Sequence, residues 1–202
     1  MRRAITSAVL VLFCGCAPTP QPQVDPGRRD SQADYAASLF IDSCVRHLTQ
    51  PVELLGWIRK NGLRELEPSL QSRFLHGQEG QVWSSATSLG AFFLIVVPLD
   101  EETKASKCSV WAHRADATRV TERFERLLKD TARADLRVGR VSDRELEGAG
   151  GTYRQLVYFL QKIGAGAGFL FIATTSASEE AEIQARLTVS PSQPPPGFEG
   201  SP

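Results

Sequence analysis

The chain has 202 residues, with 23 Lys+Arg balancing 23 Asp+Glu, 42% hydrophobic and 23% charged residues. This length fits one domain with tails, and the balanced charge leaves no bulk electrostatic footprint for nucleic acid. The composition excludes a disordered chain, a collagen-like chain and a multi-span membrane protein, and four cysteines are too few for a disulfide-dense miniprotein.

Met1-Arg2-Arg3 is a basic start, Ala4 to Phe13 is mostly apolar, and Cys14, Gly15, Cys16 and Ala17 are small. A basic segment, a short apolar core and a small-residue site make an export signal. The apolar run is shorter than the ~20 residues a membrane-spanning helix needs. Ordinary cleavage after Ala17 would place Pro18 next to the scissile bond, which disfavours it. The stretch Leu12-Phe13-Cys14-Gly15-Cys16 resembles a bacterial lipobox with Cys16 as the modified residue, although Phe13 stands where leucine is usual. The resemblance implies a signal peptide over 1–15, a diacylglycerol thioether on Cys16 and membrane anchoring through several acyl chains. Ala17 rather than Asp after the cysteine implies sorting to an outer membrane facing the periplasm.

Residues 16–30, with Pro18, Pro20, Pro22 and Pro26, read as an extended tether. Residues 189–202, with Pro191, Pro194, Pro195, Pro196 and Pro202, read as a disordered tail. One domain over 31–188 lies between them and is long enough to bury a core. Losing Arg2 and Arg3 with the signal leaves 21 basic against 23 acidic residues, which argues against direct binding to anionic headgroups.

Within the domain, Asp34 to about Leu48 has helical periodicity, with Leu39, Phe40 and Cys44 on one face. Thr49 is placed to cap a second, short helix with Pro51 in its first turn and Asn61-Gly62 at its end. Pro68 opens a polar, irregular stretch. Strands are expected over Gln81–Thr87, the apolar run from Gly90 to Val97, Cys108–His113, Leu136–Val141, Tyr153–Leu160 and Phe169–Thr174. A helix over Thr118–Asp130 buries Val120, Phe124, Leu127 and Leu128, and a last helix is expected over Glu179–Arg186. The order predicts an α+β fold: an antiparallel sheet of about five to six strands, with two N-terminal helices and one mid-chain helix packed on one face.

Cys44, the pair Gly56-Trp57 and Cys108-Ser109-Val110 form a pattern that resembles a family of small exported proteobacterial proteins and lipoproteins of no assigned activity. It covers about Phe40 to Lys129, implies an envelope location and a structural cystine, and brings no catalytic residues with it.

Cys44 and Cys108 are the cysteines left once Cys14 and Cys16 are assigned, an even pair in an oxidising compartment, so a disulfide is expected. Cys44-x-x-His47 and Cys108-x₄-His113 also make a Cys₂His₂ set for zinc. Positions 108 and 113, however, point to opposite faces of a regular strand. A thiol nucleophile would pair Cys44 with His113, or Cys108 with His47. Gly164-Ala165-Gly166-Ala167-Gly168 precedes a strand rather than a helix and reads as a hairpin turn, not a dinucleotide loop. No nucleophile elbow, His-Glu-x-x-His helix or Walker loop occurs. Asp100-Glu101-Glu102 and Glu179-Glu180 read as solvated acids, and Arg119, Arg123, Arg126 and Lys129, interleaved with Glu122 and Glu125, as a helix surface. Trp57, Trp83 and Trp111 are packing residues or the lining of a ligand groove.

The expected function is therefore a non-enzymatic binding or interaction module, anchored through Cys16, with no cofactor, no metal and no nucleic acid, facing an envelope protein partner or a small ligand. The alternatives are a small periplasmic hydrolase or thiol-dependent enzyme assembled across the fold, and a zinc-binding envelope protein using Cys44, His47, Cys108 and His113.

Overall fold

The computed structural model of the chain describes residues 26–100, 105–132 and 134–198. The signal expected over 1–15, the lipidation residue Cys16, most of the tether, the acids Glu101 and Glu102, and residues 199–202 lie outside the described residues.

Helix α1 spans Pro26–Phe40 and runs into a π-helical turn over Ile41–Val45. Residues 26–30, expected in the tether, are therefore helical. Pro26 costs nothing in a first turn, where its missing N–H has no intrahelical partner. The turn is held from its sides: Arg28 donates to the Ser88 carbonyl at 3.2 Å, Arg29 is ion-paired to Glu179, and the Arg29 carbonyl accepts the Asp116 N–H at 3.3 Å. The single helix expected to about Leu48 instead widens at Ile41, where the Ser43 hydroxyl donates back to the Leu39 carbonyl. That widening is a π-bulge in character, and it places Cys44.

Helix α2 spans Pro51–Lys60; Gln50 stands at its N-cap position without a side-chain bond, so the expected capping role falls away from Thr49. Gly62 ends it with φ +69°. A two-residue strand β1, Arg64–Glu65, and a helix α3, Pro68–Leu75, follow where an irregular stretch was expected. Helix α3 starts on Pro68, buries Gln71 and Leu75, and stops at His76, which adopts a left-handed φ of 48°. Strands β2 (Gln81–Thr87), β3 (Gly90–Asp100) and β4 (Ala105–Ala112) come next, then helix α4 (Ala117–Thr131), capped by Asp116 accepting the Arg119 N–H at 2.7 Å.

The second half is a four-strand meander: β5 Leu136–Gly148, β6 Gly151–Lys162, β7 Gly168–Thr175 and β8 Ala185–Ser192. The helix expected over Glu179–Arg186 does not form. Ser178 and Gln184 fold this stretch into a tight connection: the Ser178 hydroxyl accepts the Glu180 N–H, and Gln184 Nε2 donates to the Ser178 carbonyl at 2.8 Å. Val189 to Ser192 were expected in the tail and are instead the end of β8. Pro191 is tolerated there because the pairing with β4 stops at Cys108–Val189, so its missing N–H breaks no ladder on that side.

The eight strands of the described residues pair antiparallel in one sheet of order β1-β2-β3-β4-β8-β7-β6-β5. The fold is α+β as expected, with a larger sheet. On one face, α1, α2 and α4 cover Phe92, Leu94, Val110, Leu187, Phe171 and Leu156 with Phe40, Ile58, Phe124 and Leu128. Helix α3 covers the other face at the β2–β3 end, where Leu75 meets Val82, Ile95 and Val97. Helices therefore pack on both faces rather than one. No helix among the described residues is long and apolar enough to cross a membrane.

Candidate ligand-binding pocket

The sulfurs of Cys44 and Cys108 stand 1.99 Å apart, with Cα atoms 5.4 Å apart. The π-helical turn brings Cys44 down onto the sheet, and Cys108, 4% exposed, meets it from the helix-covered face. Each sulfur is committed to the other, so in this state neither is a free thiolate to bind metal or attack a substrate. His47 leans instead toward Glu53, its Nδ1 3.9 Å from the carboxylate. His113 lies past the end of β4, where its Nδ1 bonds the Glu182 carbonyl. The four residues of the zinc set are therefore split: the cysteines on each other, the histidines on separate partners. No group of three or more His, Cys, Asp or Glu side chains among the described residues is placed to hold a metal ion.

His113 lines a hollow of about 440 Å³ with His76, Phe74, Phe93 and Trp111. The aromatic floor is stacked, Phe74 to Phe93 at 4.6 Å and Phe74 to Trp111 at 5.5 Å between centroids. Arg186 covers the back of Trp111 at 5.0 Å, a cation–π contact. Burial lowers the pKa of that guanidinium. The lining also holds the Arg73–Glu182 ion pair, at 3.1 Å.

A different pocket, of about 480 Å³, lies under α2 at the β2–β3–β4 end of the sheet. Helix α2 presents Pro51, Leu54 and Leu55 to it, because positions 51, 54 and 55 share one helical face. The floor follows from strand alternation: Trp83, Val96 and Pro98 project from the same sheet face, with Gln81 directly across from Val96. Trp83 is 5% exposed and packs in the main core, so it closes the pocket from below. Leu55, 36% exposed, forms the lip. Gly80 lets the chain enter β2 against β3; a Cβ there would stand 2.7 Å from the Val96 carbonyl. Two carboxyl-bearing residues, Glu79 and Asp100, belong to the lining among the described residues.

The three tryptophans do not share a groove. Trp83 floors the pocket under α2, Trp111 belongs to the aromatic hollow, and Trp57 packs 6.5 Å from the His47 ring. Two of the basic residues of α4 bind Asp34 of α1: Arg119 Nε and Nη2 each donate to it at 2.9 Å, and Arg123 Nε donates to it at 2.6 Å. Gly164-Ala165-Gly166-Ala167-Gly168 is the β6–β7 turn, with Gly164 at φ +81°.

Sequence reasoning singled out Trp83 but missed its neighbours Leu54, Leu55, Glu79 and Pro98 as a site. The available signal was the Leu54-Leu55 doublet, of which the core buries Leu54 and leaves Leu55 exposed. No protein-family model matches the chain, and no curated protein matches it.

Proposed function

We propose that this protein is a cell-envelope lipoprotein, held by acyl chains on Cys16, whose folded domain is a non-enzymatic binding module that takes a small apolar ligand under α2. The pocket carries this reading. Its volume of about 480 Å³ falls in the ligand-sized range. Its walls are leucine and proline, its floor is tryptophan and valine, and its few polar groups stand at fixed places, the usual composition of a small-molecule site. Access also fits an anchored protein. The N-terminal chain enters α1 beside Ser88, at one end of β3, and the pocket opens near Asp100 at the other end, ~33 Å along the strand.

A neutral apolar dye, N-phenyl-1-naphthylamine, tests the pocket. Its emission rises on binding to the folded protein, and Ser106→Trp, which fills the pocket from the β4 side, weakens that binding at least tenfold without changing the far-UV spectrum. Equal binding by both proteins, or none by either, overturns the assignment. Tritiated palmitate tests the anchor: label enters the chain in a host that lipidates exported proteins and is absent from Cys16→Ala.

A further inference from the structure

The aromatic hollow lies on the sheet face that α3 covers and combines a ring-lined floor with a polar rim. Strand alternation sets the floor: Ala91 and Phe93 of β3 share a face, and Trp111 of β4 stands directly across from Phe93. Ala91 is exposed and leaves open the space that a larger side chain would fill. Phe74 of α3, Phe93 and Trp111 are each half-buried, so each keeps part of its ring open. On the rim, Arg73 Nη2 donates to Glu182 Oε1 at 3.1 Å, joining α3 to the β7–β8 connection, and both side chains stay exposed. That bond uses a single donor of the guanidinium and a single acceptor site of the carboxylate, so both keep capacity for a ligand. His113 Nδ1 bonds the Glu182 carbonyl, which only accepts; in the neutral ring the proton is therefore on Nδ1, and Nε2 is left as an acceptor. His76 ends α3 with φ +48°, the one left-handed non-glycine residue among the described residues. Glycine would hold that turn without the penalty of a Cβ. Histidine puts an imidazole on the rim instead, and backbone strain of this kind gathers at ligand clamps.

We propose that this hollow is a second binding site and that its ligand is a saccharide with a gluco-configured pyranose ring: the C–H face of the ring lies on Phe74, Phe93 and Trp111, and its hydroxyls meet Arg73, Glu182, His76 and His113. Floor and rim together select that class. Equatorial hydroxyls stand around the edge of such a ring and leave its faces as C–H, which the negative faces of aromatic rings attract. Each hydroxyl both donates and accepts, which suits a rim that holds a guanidinium donor, a carboxylate acceptor and an imidazole acceptor. A purely apolar ligand would use the floor and none of the rim. A small anion would compete with Glu182 for Arg73 and use none of the floor. The volume of about 440 Å³ falls in the range of small-molecule sites. The site is separate from the pocket under α2: Trp83 and Val96 pack with the helix-covered core, Phe93 and Trp111 with the cluster on the opposite face. The two assignments therefore stand or fall separately.

The test is calorimetric titration of the folded protein with cellobiose and, in parallel, with sorbitol, an open-chain polyol that offers hydroxyls without ring faces. Cellobiose binds at least tenfold more tightly than sorbitol. Ala91→Phe, which fills the hollow from an exposed strand position, weakens cellobiose binding at least tenfold. Glu182→Gln, which changes the rim and leaves the floor intact, weakens it at least threefold, and decides the matter alone if Ala91→Phe fails to fold. Ser106→Trp, in the pocket under α2, leaves cellobiose binding as it is. Equal affinity for cellobiose and sorbitol, no binding of cellobiose, or full binding by folded Ala91→Phe overturns the saccharide site while leaving the pocket under α2 in place. Loss of cellobiose binding in Ser106→Trp would put the sugar in that pocket and overturn this site as well.

Discussion

Cys44, in the π-helical turn after α1, is joined to Cys108 in β4 across 64 residues of sequence. The bridge fixes the N-terminal helices to the strand at the centre of the sheet. In the loop-closure description a cross-link of that length stabilises by about 4 kcal/mol, chiefly by restricting the unfolded chain. Protein exported to an oxidising compartment, denatured without reductant and alkylated, is expected to gain no adduct by intact mass. Adding reductant lowers the melting temperature by on the order of 10 °C. Two adducts without reductant would show the bridge absent, and would return Cys44 and Cys108 to consideration as ligands.

Asp34 gives a pH signature. Hydrogen bonds from Arg119, then from Arg123, hold its carboxyl well below the usual carboxylate range. The unfolded chain has no such partners, so its Asp34 titrates near ~3.9. A group with a depressed folded pKa contributes stability that is present above the unfolded value and lost as pH falls below it. Because the carboxylate is about a third exposed, screening reduces the contribution, and Asp34→Asn is expected to cost about 1 kcal/mol at pH 7. Urea titrations at descending pH should show the two proteins converging below about pH 4. A constant gap down to pH 2 would assign the loss to packing rather than charge.

The sheet was largely legible in the chain, and the places where it was not have physical causes. Strand β2 falls on the expected Gln81–Thr87 because its ends are marked by polar and glycine residues. Strand β5 runs seven residues past its expected end at Val141 because the register shifts between Arg140 and Ser142, and a bulge breaks the alternation that marks a strand. The Glu179–Arg186 stretch has helical composition, but Gln184 ties it to Ala112 and Ala115, far away in sequence, which local pattern does not carry. Proline marked a tail at residues 189–202, although Pro191 sits where the ladder does not need its N–H. The Cys44–Cys108 disulfide was readable as the pair left for an expected oxidising compartment once Cys14 and Cys16 were set aside. The pocket was not, because its lining comes from α2, three strands and the Glu79-Gly80 turn, which only the fold brings together.

Gln184 is 1% exposed, and its side chain does the work of a local secondary-structure element. Its Oε1 accepts the Ala115 N–H at 3.2 Å while its Nε2 donates to the Ser178 carbonyl at 2.8 Å. Its own N–H donates to the Ala112 carbonyl at 3.1 Å, so one residue fastens the β7–β8 connection to the end of β4. Gln184→Leu keeps the volume but strands a buried donor and an acceptor, and a loss of about 2–3 kcal/mol is expected. A urea midpoint moved by the equivalent of less than about 0.5 kcal/mol would mean that water replaces the amide there.

The glycines of the β6–β7 turn should separate by position. At Gly168 a Cβ would stand 2.3 Å from the Leu160 carbonyl oxygen and 2.7 Å from the Phe159 ring, both fixed in the sheet. Phe159 is itself fully buried and held edge-on by Phe198 at 4.8 Å. Neither neighbour can yield cheaply, so Gly168→Ala is expected to cost about 2–4 kcal/mol through strand separation. At Gly166 nothing lies within 4 Å of the added carbon, and its φ lies outside the left-handed range. Gly166→Ala should therefore be neutral, or stabilising by about 0.4–1 kcal/mol through loss of freedom in the unfolded chain. Thermal melts of the two variants side by side decide the matter. Equal losses at both positions would show that the turn needs glycine for its backbone, not for the close approach of β7 to β6.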